Sequence, residues 1–327
     1  MMPTTWLHRF AKLLAAATLV LITAGGLVTS TGSGLSVPDW PTTYGWSMFT
    51  FPLSRWVGGI VYEHGHRLIA STVGMLTIVL VVWTWMKEER LWVRALSFIA
   101  LLAVITQGIL GGITVLLQLP PPVSIGHAGL AQLFFCTVVS LALFTSPGWA
   151  RGYGETQGST VASDAGLRRL AIVTTAVVYL QILIGATMRH TGAGLAIPDF
   201  PLAFGRIIPP MNLLMSPNVG AHFAHRVVAL VAAGLILATA WRVRTRHRSS
   251  PQLVRAALLG SLLVLLQITL GGLVVLSGRS VVINTAHVAT GALVLATMVV
   301  LTLRACRPLL DAATFRVPTP QAEGARG

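Results

Sequence analysis

Long apolar stretches alternate along the chain with short segments rich in Arg, Gly and Pro. A transmembrane helix needs about 20 mostly apolar residues, and each of these stretches reaches that length. They occupy residues 10–30, 60–85, 93–117, 122–146, 168–189, 219–241, 254–277 and 281–304. The pattern predicts an all-α integral membrane protein with eight transmembrane helices, and an even number of crossings returns both termini to one side.

The composition supports a membrane location. The chain is 54% hydrophobic and 10% charged, with a mean hydropathy of +0.77, which is more apolar than a water-soluble domain. Its formal charge of +14 would suggest a nucleic-acid partner in a soluble protein, but the basic residues lie between the apolar stretches. With a cytoplasmic N-terminus, 17 of the 23 Lys and Arg residues fall on the cytoplasmic side. The positive-inside rule therefore predicts cytoplasmic termini, with the lipid bilayer and no nucleic acid as partner.

The chain contains an internal repeat. A shift of 160 residues aligns TGSGLSVPDWP, from Thr31 to Pro41, with TGAGLAIPDFP, from Thr191 to Pro201. The same shift pairs Gln107, Gly111, Gly112 and His127 with Gln267, Gly271, Gly272 and His287, and, with one deletion, His66-Arg67 with His225-Arg226. Four helices separate the copies, so both halves are expected to insert in the same orientation, as parallel repeats.

The repeat defines the predicted domain organisation, which is two parallel-repeat four-helix bundles. The N-terminal bundle covers residues 1–147 and the C-terminal bundle covers residues 167–306. Residues 148–166, rich in Gly, Ser and Thr, are predicted to form a cytoplasmic linker. Residues 307–327, with Pro, Arg and Gly, are predicted to form a disordered cytoplasmic tail.

Four of the nine histidines recur in the repeat, each six or seven residues from the outer end of an even-numbered predicted helix. At about 1.5 Å per residue, all four lie at one depth, roughly 10 Å below the outer helix ends. Two histidines at equal depth in each bundle suit the axial ligation of a heme. A zinc or copper centre would need ligands beyond such a pair, and hydrogen-bonded core histidines are the remaining alternative. The candidate ligands are His66, His127, His225 and His287.

The halves differ one helical turn before the first of these histidines. Glu63 lies three residues before His66, and its counterpart before His225 is His222. Residues three apart share a helix face, so Glu63 is expected to face the group that His66 ligates. A carboxylate there is a candidate for proton transfer or for stabilising positive charge. The alternative is a salt bridge to Arg67.

Other polar residues have simpler interpretations. Arg67 and Arg226 follow two of the candidate ligands and are predicted to bind heme propionates, or alternatively to anchor the helices at the interface. Asp39 and Asp199 precede prolines in the two long outer loops and are predicted to form turns. The glycine pairs at positions 111 and 271 are expected to let neighbouring helices approach closely. His247, among cytoplasmic basic residues, is expected to be solvated.

These features together resemble the heme A synthase family. The resemblance covers nearly the whole chain: eight helices in two halves, histidines on the even-numbered helices, and a Glu-x-x-His motif in the first half only, here Glu63-His64-Gly65-His66 followed by Arg67. It implies oxidation of the C8 methyl group of heme O to a formyl group, which gives heme A for terminal oxidases. In that case His225 and His287 would ligate a heme b cofactor. His66 and His127 would ligate the substrate heme O, and Glu63 would assist catalysis.

No Arg-rich, Ser-rich transit segment precedes the first apolar stretch, which favours a bacterial plasma membrane over an organelle, and the heme sites are expected toward the outer side. Heme O synthase is a candidate supplier of substrate. Many bacterial members have a cysteine pair in the first outer loop, whereas residues 31–59 contain none, so a thiol step cannot operate there. Two alternatives remain: a diheme cytochrome b-like electron carrier, such as a quinol or ferric reductase, and a heme or solute transporter. The electron acceptor or donor and the formation of a homo-oligomer are left open.

Overall fold

The structure is a computed structural model that describes residues 5–150, 161 and 163–314. Within these residues, eight helices are long and apolar enough to cross a membrane. The prediction of an all-α protein that crosses the membrane several times is confirmed. We label the helices in chain order as α1 (Thr5–Ser30), α2 (Gly59–Lys87), α3 (Leu91–Leu116), α4 (Pro121–Phe144), α5 (Ala165–His190), α6 (Pro217–Arg246), α7 (Pro251–Leu276) and α8 (Val281–Thr314).

Each helix begins before its apolar stretch or ends after it. The apolar pattern marks only the residues that suit the hydrocarbon core, whereas backbone hydrogen bonding continues into the polar interface. The last turn of α6, for example, contains Arg244 and Arg246. Proline opens α4, α6 and α7, where its missing N–H leaves no hydrogen bond unmade.

Two predicted segments differ from the structure. Residues 307–314, assigned to a disordered tail, continue α8 to Thr314, and residues 315–327 lie outside the described residues. The predicted linker, residues 148–166, contains three of the four residues of a short helix, Pro147–Ala150, and the first residues of α5. Trp149 and Val161 are buried against the long helices. The polar composition of the linker gave no sign that Trp149 and Val161 are buried. Residues 151–160 and 162 lie outside the described residues.

The long helices pack in two groups. In residues 5–144, α1 packs on α2, α2 on α3, α3 on α4 and α4 on α1. Helices α5 to α8 pack in the same cyclic order, and the groups meet where α1 contacts α8 and where α4 contacts α5 and α8. In the 18-residue apolar stretch of each helix, 56% of α4 and 50% of α8 is buried, against 17–28% in the other six helices. The boundary between the groups therefore runs along α4 and α8.

Two long loops, residues 31–58 and 191–216, lie at one end of the helices, which we call the loop face; the opposite end is the terminal face. Asp39 accepts hydrogen bonds from the N–H groups of Tyr44 and Gly45, and Asp199 accepts the same bonds from Phe204 and Gly205. The predicted turn role of both aspartates is confirmed. The Gly205 N–H contributes most to lowering the pKa of the Asp199 carboxyl.

A charged cluster joins α5 to α6 at the terminal face. Asp164 caps α5 by accepting a hydrogen bond from the Leu167 N–H at 2.9 Å. Its carboxylate also lies 2.6 Å from the Arg242 guanidinium and 2.8 Å from His247 Nε2. His247 is 2% exposed, so the expectation that it is solvated is wrong. His247 can be buried because the Asp164 carboxylate provides a hydrogen-bond partner for its ring.

Candidate functional site

The four repeated histidines lie at one level below the loop face. His66 on α2, His127 on α4, His225 on α6 and His287 on α8 follow the first residue of their helices by seven, six, eight and six positions. At about 1.5 Å per residue this is roughly 9 to 12 Å along the helix. All four rings are half-buried, and two of them lie on the central helices α4 and α8.

The histidines form two pairs. His66 and His127 lie on α2 and α4 of the first group of helices, and His225 and His287 lie on α6 and α8 of the second. Among the described residues, no hydrogen-bond partner reaches the buried Nδ1 atom of His66, His127 or His287. Buried core histidines normally have their ring nitrogens hydrogen-bonded. These rings therefore have binding capacity that the protein itself does not use.

Each ring packs against a glycine of the preceding odd-numbered helix. Added Cβ atoms at Gly25, Gly111, Gly185 and Gly271 would lie 3.1, 3.3, 2.8 and 3.1 Å from Cε1 of His66, His127, His225 and His287, respectively. Because glycine has no side chain, each imidazole ring can lie directly against the backbone of the neighbouring helix. The second glycine of the α3 and α7 pairs receives an aromatic ring instead: Trp40 lies against Gly112, and Phe200 against Gly272. The glycine pairs thus admit side chains, not the helix backbones that we expected.

Glutamines occupy the position four residues before three of these glycines. Gln181 Nε2 lies 3.1 Å from Nδ1 and 3.3 Å from Nε2 of His225, and 2.9 Å from the His225 carbonyl oxygen. Gln267 Nε2 lies 3.4 Å from Nε2 of His287. Gln107 donates to the backbone carbonyl of His127 at 2.8 Å. The fourth position, before Gly25, is Leu21.

Glu63 contacts the outer loop and Arg67. One carboxylate oxygen accepts a hydrogen bond from the Val37 N–H at 2.8 Å, and the other lies 2.7 Å from Arg67 Nη2. Both side chains are nearly inaccessible, at 5% and 9% exposure. The salt bridge, which the sequence left as the alternative for Glu63, is present.

Arg67 also holds the loop by its backbone. Its terminal nitrogens donate to the carbonyl oxygens of Val37, Asp39 and Thr42 at 2.7 to 3.0 Å. With Glu63, these partners account for all four terminal N–H groups of the guanidinium. Binding a propionate, as the sequence predicts for Arg67, would require at least one of these contacts to be given up.

The second half repeats this arrangement with one substitution. The terminal nitrogens of Arg226 donate to the carbonyl oxygens of Ile197, Asp199 and Leu202, which are the 160-residue counterparts of the Arg67 partners. The Ile197 N–H points to Nδ1 of His222 at 3.2 Å, where the first half uses Glu63. The loop attachment is therefore common to both halves, and only the first half adds a carboxylate to it.

His64 is buried beneath the first outer loop, away from the paired histidines. Its Nδ1 lies 3.1 Å from the Thr43 hydroxyl, and its ring packs edge-on against Trp56 at 4.7 Å and beside Phe51 at 5.1 Å. Its counterpart in the second half is Phe223, so the same space takes a ring in both loops. His64 thus belongs to the packing of the loop.

The paired histidines fit a heme better than a bare metal ion. In the described part of the chain, no group of three or more His, Cys, Asp or Glu side chains could hold a metal ion. A porphyrin brings four equatorial nitrogens, so its iron needs only two axial imidazoles. Each group of helices offers two imidazoles at one depth, and both rings of the first pair have an unpartnered buried nitrogen, which meets that requirement.

Part of this site was missed from the sequence. The pairs Gln107–Gly111 and Gln267–Gly271 were recognised as repeated, but Gln181–Gly185 and Leu21–Gly25 were not. A pattern of Gln or Leu, three residues and Gly occurs on every odd-numbered helix. Comparing α1 and α5 with α3 and α7 would have revealed it, because all four bear the same relation to a histidine on the next helix.

Comparisons with known proteins agree with this site. Residues 8–299 match a family model described as cytochrome oxidase assembly protein. The chain is 30% identical over 288 residues to the heme A synthase of Halalkalibacterium halodurans, covering 86% of this chain and 92% of the relative. It is 31% identical over 274 residues to that of Shouchella clausii, covering 83% and 87%. It is 32% identical over 266 residues to that of Symbiobacterium thermophilum, covering 79% and 82%.

The family match extends over nearly the whole helical part of the chain and includes both histidine pairs. The family model covers all eight spanning helices, apart from the first residues of α1 and the last of α8. The resemblance drawn from the Glu-x-x-His motif and the repeated histidines is thereby confirmed. The chain belongs to the heme A synthase family.

Proposed function

We propose that this protein oxidises the C8 methyl group of heme O to a formyl group and so supplies heme A for terminal oxidase assembly. The observation that carries the proposal is the presence of two histidine pairs at one depth, one pair on α2 and α4 and the other on α6 and α8. An oxidoreductase that acts on one heme with the help of another needs two such sites. Membership of the heme A synthase family supplies the reaction.

The two pairs have different roles in this proposal. His225 and His287 hold a heme b cofactor, which provides an iron that can accept and pass on single electrons. His66 and His127 hold the substrate heme O. The assignment is supported by the glutamine contacts, because Gln181 and Gln267 approach both rings of the second pair. A permanent cofactor benefits from such fixed ligands, whereas a substrate has to leave after each turnover.

Glu63 distinguishes the proposed substrate site. It lies one turn from His66 and is absent from the second half, where His222 replaces it. Its negative charge, held by Arg67 and the Val37 N–H, lies on the helix that ligates the substrate iron. We assign to Glu63 the stabilisation of positive charge that develops as electrons leave the substrate. Arg67 and Arg226 fasten the outer loops over the two sites.

The orientation in the membrane follows from the charge pattern. We infer that both termini are cytoplasmic and that the loop face, with both histidine pairs beneath it, is on the outer side of a bacterial plasma membrane. The basic residues of the terminal face support this orientation. Heme O synthase is the candidate supplier of the substrate.

Heme extraction provides the test. The full chain is co-expressed with a heme O producer, and the extracted hemes are separated by chromatography. We expect heme A with the wild-type chain. The variants His66→Ala and His127→Ala should abolish heme A while heme b stays bound to the purified protein, because the second pair is intact. Only hemes B and O in cells with the wild-type chain would refute the proposal.

Two conservative variants separate the charge of Glu63 from its contact with the loop. Glu63→His introduces the residue that the second half uses to accept the loop N–H, and Glu63→Gln keeps an acceptor oxygen. If the charge serves the reaction, both variants should lower heme A at least about tenfold, which corresponds to about 1.4 kcal/mol in the barrier. Wild-type heme A in Glu63→His would show that Glu63 only holds the loop.

A further inference from the structure

The two histidine pairs differ in the groups that restrain their rings. Both rings of the second pair have a glutamine amide within hydrogen-bond distance: Gln181 for His225 and Gln267 for His287. In the first pair, Gln107 reaches only the backbone carbonyl of His127. The fourth ring, His66, has no glutamine in the described part of the chain, and its Nδ1 has no hydrogen-bond partner there.

This difference comes from one position in the repeat. The counterpart of Gln181 in the first half is Leu21, and the glycine four residues later is common to both, as Gly185 and Gly25. The backbone surroundings are also alike, because each glycine lies against Cε1 of its histidine. Leu21 is half-buried and packs with the apolar side chains of the first group of helices. Its side chain contacts the imidazole but offers no hydrogen bond, so that only the Leu21 backbone interacts with the ring through a polar group.

We propose that His66 is the exchangeable axial ligand of the substrate heme and that Leu21 makes it so. The proposal rests on the proposed function, in which the heme of the first pair enters and leaves at each turnover. An iron held by two well-restrained imidazoles releases its porphyrin slowly. A site that binds a new porphyrin in every cycle therefore needs one ligand whose ring can swing away.

The physical basis is the restraint of the ring by its amide partner. A neutral imidazole that binds iron through one nitrogen carries its proton on the other. A glutamine amide can turn by half a rotation to accept this proton, and Oε1 of Gln181 has no other partner among the described residues. Removal of such an outer partner typically weakens metal binding by about 10- to 100-fold. Because the Leu21 side chain provides no such partner, His66 binds the heme iron more weakly than His225 does.

The test exchanges the two residues and measures heme release. The full chain is purified from cells that co-express a heme O producer and is transferred to lipid nanodiscs. Excess apomyoglobin removes dissociating heme, and chromatography identifies the hemes that remain. Because the first pair holds heme O or A and the second holds heme b, chemical identity reports the site. In the wild type, heme O and heme A should leave faster than heme b.

Methionine variants provide matched controls, since methionine has nearly the length of glutamine but no amide. Leu21→Gln should slow the release of heme O and heme A about tenfold or more, whereas Leu21→Met should not. Gln181→Met should speed the release of heme b by a similar factor. The second variant is an independent arm, because it tests the amide in the opposite half without placing a polar group on α1.

The outcomes separate this inference from the proposed function. Equal release rates in Leu21→Gln and Leu21→Met, or wild-type retention of heme b in Gln181→Met, would overturn the role of the amide while leaving two heme sites in place. A wild-type chain without heme b, or with a heme b that survives both His225→Ala and His287→Ala, would overturn the proposed function and this inference with it.

Discussion

At the scale of single residues, Asp164 makes a stability contribution that depends on pH. Burial alone would raise the pKa of this carboxyl, but hydrogen bonds from Arg242, His247 and the Leu167 N–H outweigh burial and hold the pKa well below its ordinary value of 3.8. A carboxyl whose pKa is depressed by folding stabilises the protein at pH values above its ordinary pKa. That contribution is lost as the pH falls from about 4 toward the folded-state pKa.

Asp164→Asn isolates this charge, because asparagine is also a good helix cap. We expect it to lower the free energy of unfolding by about 1–3 kcal/mol at neutral pH, and Asp164→Ala to lower it by about 1 kcal/mol more through loss of the cap. The difference from wild type should shrink below pH 4. Unfolding in detergent, followed by the helical circular dichroism signal at several pH values, measures both effects.

Glu89→Gln is the matched control for Asp164, since Glu89 is an exposed carboxylate at the same face of the molecule. It should change the unfolding free energy by no more than about 0.5 kcal/mol. A loss in Asp164→Asn that is equally large at pH 3 and pH 7 would contradict the ionised interaction with Arg242 and His247.

The sequence identified the polar residues of the site, but not the groups that they contact. The repeat and the asymmetry at position 63 pointed to Glu63 and to its salt bridge with Arg67 as one of two readings. The contacts of Arg67 with three loop carbonyls could not be predicted, because backbone carbonyls leave no trace in the sequence. His247 shows the same limit, since its burial depends on Asp164, a residue 83 positions away.

At the scale of helices, the contact between an odd-numbered helix and the next histidine is the recurring unit of the site. The closest example is on α5, where a Cβ atom at Gly185 would lie 2.8 Å from Cε1 and 3.3 Å from Nδ1 of His225. Real Cβ atoms do not approach ring atoms so closely, so an alanine at Gly185 has to displace the ring. The affected ring belongs to the proposed heme b pair.

Gly185→Ala should therefore weaken heme b binding, by about 10-fold or more if it acts like other losses of ligand orientation. The absorption spectrum of the purified protein and its heme b content measure the loss. Gly234→Ala on α6 is the control, because no atom lies within 4 Å of its added Cβ. It should keep heme b and gain a few tenths to about 1 kcal/mol of helix stability. Normal heme b content in Gly185→Ala would refute the importance of this contact.

Helices were predicted well where the apolar pattern decides and less well where packing decides. The hydropathy pattern alone predicts all eight spans, because a helix that faces lipid has to be apolar across the thickness of the hydrocarbon core. The extension of α8 to Thr314 and the burial of Trp149 depend on contacts beyond the membrane core. The average composition of a polar segment does not reveal that one of its apolar residues, such as Trp149, is buried.

At the scale of the whole molecule, the two groups of helices meet through an apolar cluster that includes Ile22, Phe135 and Ala292, and through polar contacts near the loop face. Ser30 at the end of α1 is central to them: its hydroxyl accepts from Asn284 at 3.0 Å and lies 3.1 Å from Arg189. Arg189 also donates to the Gly26 carbonyl at 2.8 Å. These contacts join the two groups, and each histidine pair lies on helices of one group.

This arrangement predicts that the chain can be divided between the histidine pairs. Fragments 1–155 and 156–327, the latter with an added initiator methionine, should together form heme A when co-expressed with a heme O producer. The fragment 156–327 alone should hold heme b, because it contains His225 and His287 with both glutamine partners, yet it should form no heme A. Chromatography of hemes from cells and from purified fragments measures these outcomes.

A division within the second group provides the contrast. Cutting between residues 249 and 250, in the turn between α6 and α7, separates His225 from His287 and should reduce bound heme b far more than the first division does. Both cuts fall between long helices, so they differ mainly in whether a ligand pair remains covalently connected. If the fragment 156–327 bound no heme b while the chain cut at 249 retained it, the histidine pairs would have to be assigned across the groups and not within them.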